Sequence, residues 1–267
     1  MLLGSCSPAA RSARLLRVAL LAMLLVSLTA ARSFAGTITI GPGSSPPGGY
    51  LGLSGFGILP IAGVGDETIT NFNVPNFLYA GQVWNRVGVV SNGYVVVGGG
   101  VGGDVSINNT ALPNPTAPNN LLAPFWTDLN PAAAGAIRIG VLTDGASNWL
   151  VVDWDHVRNF SDVTTNTFEI WIGLLGDASP IEDITFTYGP HGNGDGGLLT
   201  IGAEDITGTV GATYYFRGGG PPIGSLPEGD LRVSTRGFET PEPATLLLAL
   251  TGLAPAAARR LRRRRSS

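Results

Sequence analysis

Lysine is absent from the 267 residues, cysteine occurs once, as Cys6, and histidine twice, as His156 and His191. A single cysteine excludes a disulfide framework and a multi-cysteine zinc centre, and two histidines leave little for a histidine-rich metal site. Charge is scarce as well. Only 13% of residues are charged against 44% hydrophobic, the reverse of a disordered chain's composition. No Gly-x-Ser-x-Gly elbow marks a hydrolase. No glycine-rich loop leads from a strand into a helix, which disfavours a nucleotide-binding α/β fold. Glycine is abundant at 39 residues, with 19 prolines, and this implies many turns.

The net charge of −3 conceals three blocks. Residues 1–36 carry Arg11, Arg14, Arg17 and Arg32 and no acid. Residues 37–238 hold six arginines against seventeen acids, a charge of −11, and residues 239–267 hold six arginines against Glu239 and Glu242. An acidic body repels phosphate backbones, so nucleic acid is not an expected partner. Basic blocks beside apolar runs form a membrane-topology pattern.

At the N-terminus, Arg11, Arg14 and Arg17 precede the apolar run Val18–Leu28, and small residues follow. This reads as a secretory signal peptide, residues 1–35, cleaved between Ala35 and Gly36, with cleavage after Ala30 or Ala31 as the nearby alternative. A retained signal anchor is the competing reading. Cys6 lies ahead of the apolar run and would leave with the signal.

The C-terminus, residues 239–267, has three parts in order: Pro241-Glu242-Pro243, the apolar run Ala244–Ala258, and Arg259, Arg260, Arg262, Arg263, Arg264 and Arg265. A 15-residue helix spans roughly 22 Å against a bilayer core of about 30 Å, a mismatch that snorkelling arginines can absorb. The arginines are expected to stay cytoplasmic and to place the acidic body outside. Pro-Glu-Pro cannot continue a helix, so it presents an extended peptide at the boundary. A plain tail anchor would share the apolar run and the arginines, but it does not account for Glu242 between two prolines.

This tail resembles the PEP-CTERM sorting signal of Gram-negative bacteria. The resemblance implies an exosortase as partner, transient tethering on the periplasmic side of the inner membrane, cleavage near the motif, and onward sorting to the envelope or outside. It also implies an association with exopolysaccharide and biofilm matrix.

Between them, residues 36–238 show period-two alternation punctuated by Gly, Asn, Asp and Pro, with no sustained helical stripe. Strands are expected at Thr37–Ile40, Val83–Val90, Tyr94–Val97, Ala136–Leu142, Trp149–Val157, Thr167–Leu174, Leu198–Ala203, Ala212–Arg217 and Leu231–Ser234. Asn92-Gly93 and Thr143-Asp144-Gly145 mark hairpin turns. Phe168, Ile170, Ile172 and Leu174 share one face, with Glu169 and Trp171 on the other. Ile184, Phe186 and Tyr188 are expected to face in, with Thr185 and Thr187 outward. The fold class is all-β: an antiparallel two-sheet, jelly-roll-like β-sandwich with an N-terminal signal helix and a C-terminal transmembrane helix.

The body also resembles the nidogen-type (NIDO-like) extracellular segment of secreted bacterial proteins over roughly Asp66–Phe216. The matching stretches are Asn71–Val74, Val87–Val97 with its Ser91-Asn92-Gly93-Tyr94 turn, Ala117–Leu129, Phe168–Leu174, Ile184–Gly189 and Thr200–Asp205. Gly98–Gly103 departs from the family pattern. The resemblance implies an extracellular, non-catalytic module and brings no agreed ligand.

Candidate sites are few. Asn193 and Asp195, in the glycine-rich run His191–Gly197, place oxygen donors at alternate positions and would favour calcium as cofactor, against a simple hairpin loop. Alternation puts His156 on the face of Val152 and Trp154, where a structural histidine is the commoner outcome, and gives Asp153 and Asp155 a shared face. That pair could act as acid and base or hold a cation, although solvated carboxylates on an acidic surface are the commoner arrangement. Trp84, Trp126, Trp149, Trp154 and Trp171 could stack on sugar rings if exposed, but Trp126 and Trp154 lie in apolar strands and are expected in the core, and the core is the favoured place for Trp171 over an exposed face. The expected function is a non-enzymatic structural or adhesive protein of the envelope or matrix. A carbohydrate- or calcium-binding lectin-like module is the alternative, and a surface hydrolase ranks third.

Overall fold

A computed structural model describes residues 36–176 and 183–236. The expected signal peptide with Ala35, the Pro241-Glu242-Pro243 motif, the apolar run and the terminal arginines lie outside the described residues. Among the described residues no helix is long and apolar enough to cross a membrane.

The described chain belongs to one compact unit. It holds twelve strands: β1 (Thr37–Pro42), β2 (Ile69–Tyr79), β3 (Gln82–Val90), β4 (Tyr94–Val97), β5 (Leu121–Trp126), β6 (Ala136–Thr143), β7 (Asn148–Arg158), β8 (Thr165–Gly173), β9 (Ile184–Tyr188), β10 (Leu199–Glu204), β11 (Gly211–Arg217) and β12 (Leu231–Arg236). Two short 3₁₀ turns, Leu53–Phe56 and Gly102–Asp104, are the helical segments among the described residues. The first sheet runs β1-β12-β9-β8-β7-β6 and the second β11-β10-β5-β4-β3-β2. Every ladder is antiparallel.

This order corrects the jelly-roll expectation. A jelly roll alternates successive strands between its sheets, whereas here β2–β5 and β6–β9 are two meanders completed by β10–β11 and by β12 with β1. Short turns join β2 to β3, β3 to β4 and β6 to β7, whereas β4 and β5 are neighbours across a connection of 23 residues. In the β3–β4 hairpin, Val90 pairs with Tyr94 across a three-residue loop, and of its residues only Gly93 takes a left-handed conformation, with φ of 80°.

The core lies between the sheets. Leu150, Val152 and Trp154 of β7 and Phe168, Ile170 and Ile172 of β8 meet Val87, Val95, Leu122 and Phe125 of the second sheet. Phe168 stacks on Trp154 and on Phe125, both at 5.1 Å between centroids, and the Trp154 indole donates to the Val90 carbonyl at 3.2 Å. Pro124 has no N–H to give the β5–β10 ladder. The register shifts between Thr200 and Gly202, and the Pro124 carbonyl instead accepts the Tyr188 hydroxyl of the other sheet at 3.0 Å.

The outer face of the first sheet is the main departure from expectation. Thr185, Thr187, Asp153 and Glu169 are fully buried there rather than solvated. A strap formed by the chain between β1 and β2 covers them, with Leu53 inserted beside Trp149, Val151 and Trp171 as a second apolar cluster. Gly140 of β6 permits the close approach, because a Cβ there would lie 2.5 Å from the Ile58 side chain.

Candidate functional site

The Ser91-Asn92-Gly93-Tyr94 turn and the end of the Ala117–Leu129 stretch meet at one end of the sandwich. Asn92, fully buried in the β3–β4 turn, accepts the Leu129 N–H at 3.0 Å through Oδ1. Its Nδ2 donates to Glu67 Oε2 at 2.9 Å and to the Ser106 carbonyl at 3.3 Å. The Thr127 N–H returns to the Asn92 carbonyl and the Phe125 N–H to the Gly93 carbonyl. A Cβ on Gly93 would sit 2.1 Å from the Phe125 carbonyl oxygen, so glycine is required twice over, by φ and by contact.

That construction brings Asp128, just after β5, to Asp66 and Glu67, just before β2. One carboxylate oxygen from each lies within 4.8 Å of the others. Asp66 Oδ1 and Asp128 Oδ1 are buried without a hydrogen-bond partner. Burial, helped by the charges of Glu67, Asp195 and Asp66, pushes the Asp128 carboxyl up to about 6. Burial raises Asp66 and Glu67 too. The trio lines a cavity of about 430 Å³ with Ser106, Asn108, Ile107 and Phe160. Clustered carboxylate oxygens are the donors a calcium ion takes, completed by waters or carbonyls.

Of the two residues expected to bind metal, Asp195 lies close enough to act on Asp128 but is otherwise engaged. Asp195 Oδ1 accepts the Ser161 N–H at 2.8 Å and its hydroxyl at 2.6 Å, and the Asp195 N–H donates to Thr127 Oγ1 at 2.8 Å. Asn193 lies in the same loop, where its amide comes near Gly197. His191 packs on Phe125 and Tyr188. The acidic set that converges is a different one, two adjacent residues, Asp66 and Glu67, joined by Asp128 from 61 residues beyond Glu67.

His156 is placed differently from its expected face. The β7–β8 register shifts between Trp154 and Val157, and His156 takes a left-handed backbone, with φ of 55°. Its ring therefore leaves the core side, is exposed, and pairs with Asp155. No hydroxyl among the described residues is bonded to that ring. Asp155 also holds Arg138 at 2.8 Å.

Asp153 and Glu169 face each other across β7 and β8 beneath the strap. Asp153 accepts the Tyr50 hydroxyl and the Leu53 N–H, both at 3.1 Å. Glu169 Oε2 accepts the Leu51 N–H, the Trp171 indole and the Thr187 hydroxyl, at 3.2, 2.9 and 3.1 Å. Burial lifts Glu169 to about 8 and Asp153 to about 6. The Asp153 charge adds to the rise at Glu169, while the hydrogen bonds oppose both.

The five tryptophans offer no broad sugar-stacking face. Trp126, Trp149, Trp154 and Trp171 are buried, and Trp84 is half-buried with its indole bonded to the Tyr79 carbonyl.

A family model described as NIDO related matches residues 57–218, more than half of the chain. No curated protein and no solved structure matches.

Proposed function

The chain belongs to the NIDO-related family, and from that premise we propose that it is a secreted, non-enzymatic module of a Gram-negative envelope or matrix. In this reading the N-terminal arginines and apolar run carry it across the inner membrane. The tail holds it on the periplasmic side until an exosortase acts near Pro241-Glu242-Pro243, and the released body takes a structural or adhesive place within exopolysaccharide. The observation that carries the reading is the tail itself: motif, apolar run and six arginines in fixed order. A body of two paired sheets whose first and last described strands pair with each other, Thr37 against Arg236, suits a self-contained exported module.

The absence of catalysis rests on the same footing, supported by a His156 ring that pairs with Asp155 rather than with a nucleophile. The test is Glu242→Ala in the native host, with the tail followed by mass. Accumulation of the uncut protein supports recognition of the motif, and unchanged processing removes it.

A second reading, a calcium-binding module, is favoured over sugar binding by the convergence of Asp66, Glu67 and Asp128 and by the lack of an open tryptophan face. Calorimetric titration of the purified body with calcium tests it, and no heat at millimolar ion ends it.

A further inference from the structure

We propose that the segment 43–62 is a proton-latched cover over the first sheet, closed while Glu169 holds a proton and loosened when Glu169 ionises beside Asp153. The cover is tied independently at both ends. Ser45 bonds Asp230 through its N–H at 2.8 Å and its hydroxyl at 2.6 Å, and the Ile61 N–H reaches the Ile137 carbonyl on β6 at 2.8 Å. Its middle is held to the sheet by three donors, the Tyr50 hydroxyl and the Leu51 and Leu53 N–H groups. All three end on just two carboxylates that are direct cross-strand neighbours.

The latch is built so that its charge state matters. Glu169 is fully buried; Oε2 takes three hydrogen bonds, while Oε1 is buried with no partner. A bare carboxylate oxygen in that position has nothing to solvate its charge, whereas a neutral acid tolerates it at far lower cost. The groups facing Glu169 do not relieve it. From the cover comes Tyr50, itself raised by burial and the surrounding acids and so a phenol throughout. From β7 come Asp153 and Asp155, the latter paired with exposed His156. β9 offers only the neutral Thr187. From β6 comes Arg138, which is committed to Asp155 at 2.8 Å and reaches Asp153 at 3.9 Å. No ion pair among the described residues involves Glu169.

Opening the cover returns Glu169 to water and its ordinary value of 4.5, against about 8 when closed. Opening therefore releases a proton at any pH between the two, and the opening constant rises by up to tenfold per pH unit across that window before levelling. What becomes exposed is the Trp149–Trp171 pair, 6.2 Å apart, which already lines a cavity of about 380 Å³ together with Pro46, Pro47, Leu51 and Phe56 of the cover. This proposal does not depend on export or tail processing.

Hydrogen exchange of the full chain at pH 5.5, 7.0 and 8.5, corrected for the intrinsic rate, tests it. Protection of peptides from 43–62 is expected to fall at least tenfold over that range while the β3–β4 hairpin keeps its own. Glu169→Gln is expected to reduce the fall to about fourfold or less, the remainder coming from Asp153, which is raised to about 6 and holds the same cover. Protection independent of pH in the natural protein, or an undiminished fall in Glu169→Gln, overturns the proposal. If that variant does not fold, Asp153→Asn replaces it: removing the neighbouring charge should shrink the fall, and an unchanged fall has the same overturning force.

Discussion

Asn92 and Leu129 are joined by one hydrogen bond, Oδ1 to N–H at 3.0 Å, and through it the β3–β4 turn and the exit of β5 become a single piece of structure. Asn92→Ala removes an acceptor in a fully buried place and leaves the Leu129 N–H unpaired. Urea unfolding of the variant is expected to show a loss of about 1–3 kcal/mol, the usual cost of a stranded buried polar group.

Gly93→Ala acts on the same joint by sterics. The left-handed backbone and the contact with the Phe125 carbonyl both oppose a Cβ. The loss is expected to exceed about 3 kcal/mol in the same urea assay, more than a left-handed alanine alone brings.

Trp154 tests the inter-sheet core. It stacks on Phe168 and is fully buried. Trp154→Ala is expected to cost about 3–5 kcal/mol, measured by thermal or chemical unfolding.

Stability should also depend on pH through the outer face. The folded Glu169 carboxyl sits near 8 and the unfolded one at 4.5, so between these values the folded state holds a proton that the unfolded state has released. Stability contributed by this group is complete below about 4.5, falls as pH rises and levels above about 8. Asp153, raised to about 6, acts in the same direction at lower pH. Calorimetric melting at pH 5 and pH 8 is expected to show a lower melting temperature at pH 8, and Glu169→Gln should narrow the difference.

Calcium, if bound at the acidic trio, stabilises the folded state by mass action. A melting temperature that rises with millimolar calcium in the natural protein and not in Asp128→Asn is the expected pattern. No rise in the natural protein removes the calcium reading.

Much of the strand architecture was legible because alternation is local. Leu150, Val152 and Trp154, and Phe168, Ile170 and Ile172, announce one apolar face each, and both pack into the inter-sheet core. The opposite face was not legible. Thr185, Thr187, Asp153 and Glu169 look solvated in sequence, because nothing periodic in the stretch between β1 and β2 signals that it folds back over them. His156 was misplaced for a different reason: a bulge adds one residue to the count, and parity then inverts. The acidic trio could not be read at all, since Asp128 meets Asp66 and Glu67 only through the turn that Asn92 ties down. The Asn92-Gly93 signal marked the hairpin, and its second role as the joint to β5 depends on contacts far apart in the chain.

The proposed function depends on export followed by a cut near the tail motif. Intact mass of the protein isolated from its native host tests this most directly. A mature chain that begins at Gly36 and ends near Pro241, recovered from the envelope or medium, is the expected result. A full-length chain of residues 1–267, unprocessed and recovered from the cytoplasmic fraction, would contradict it.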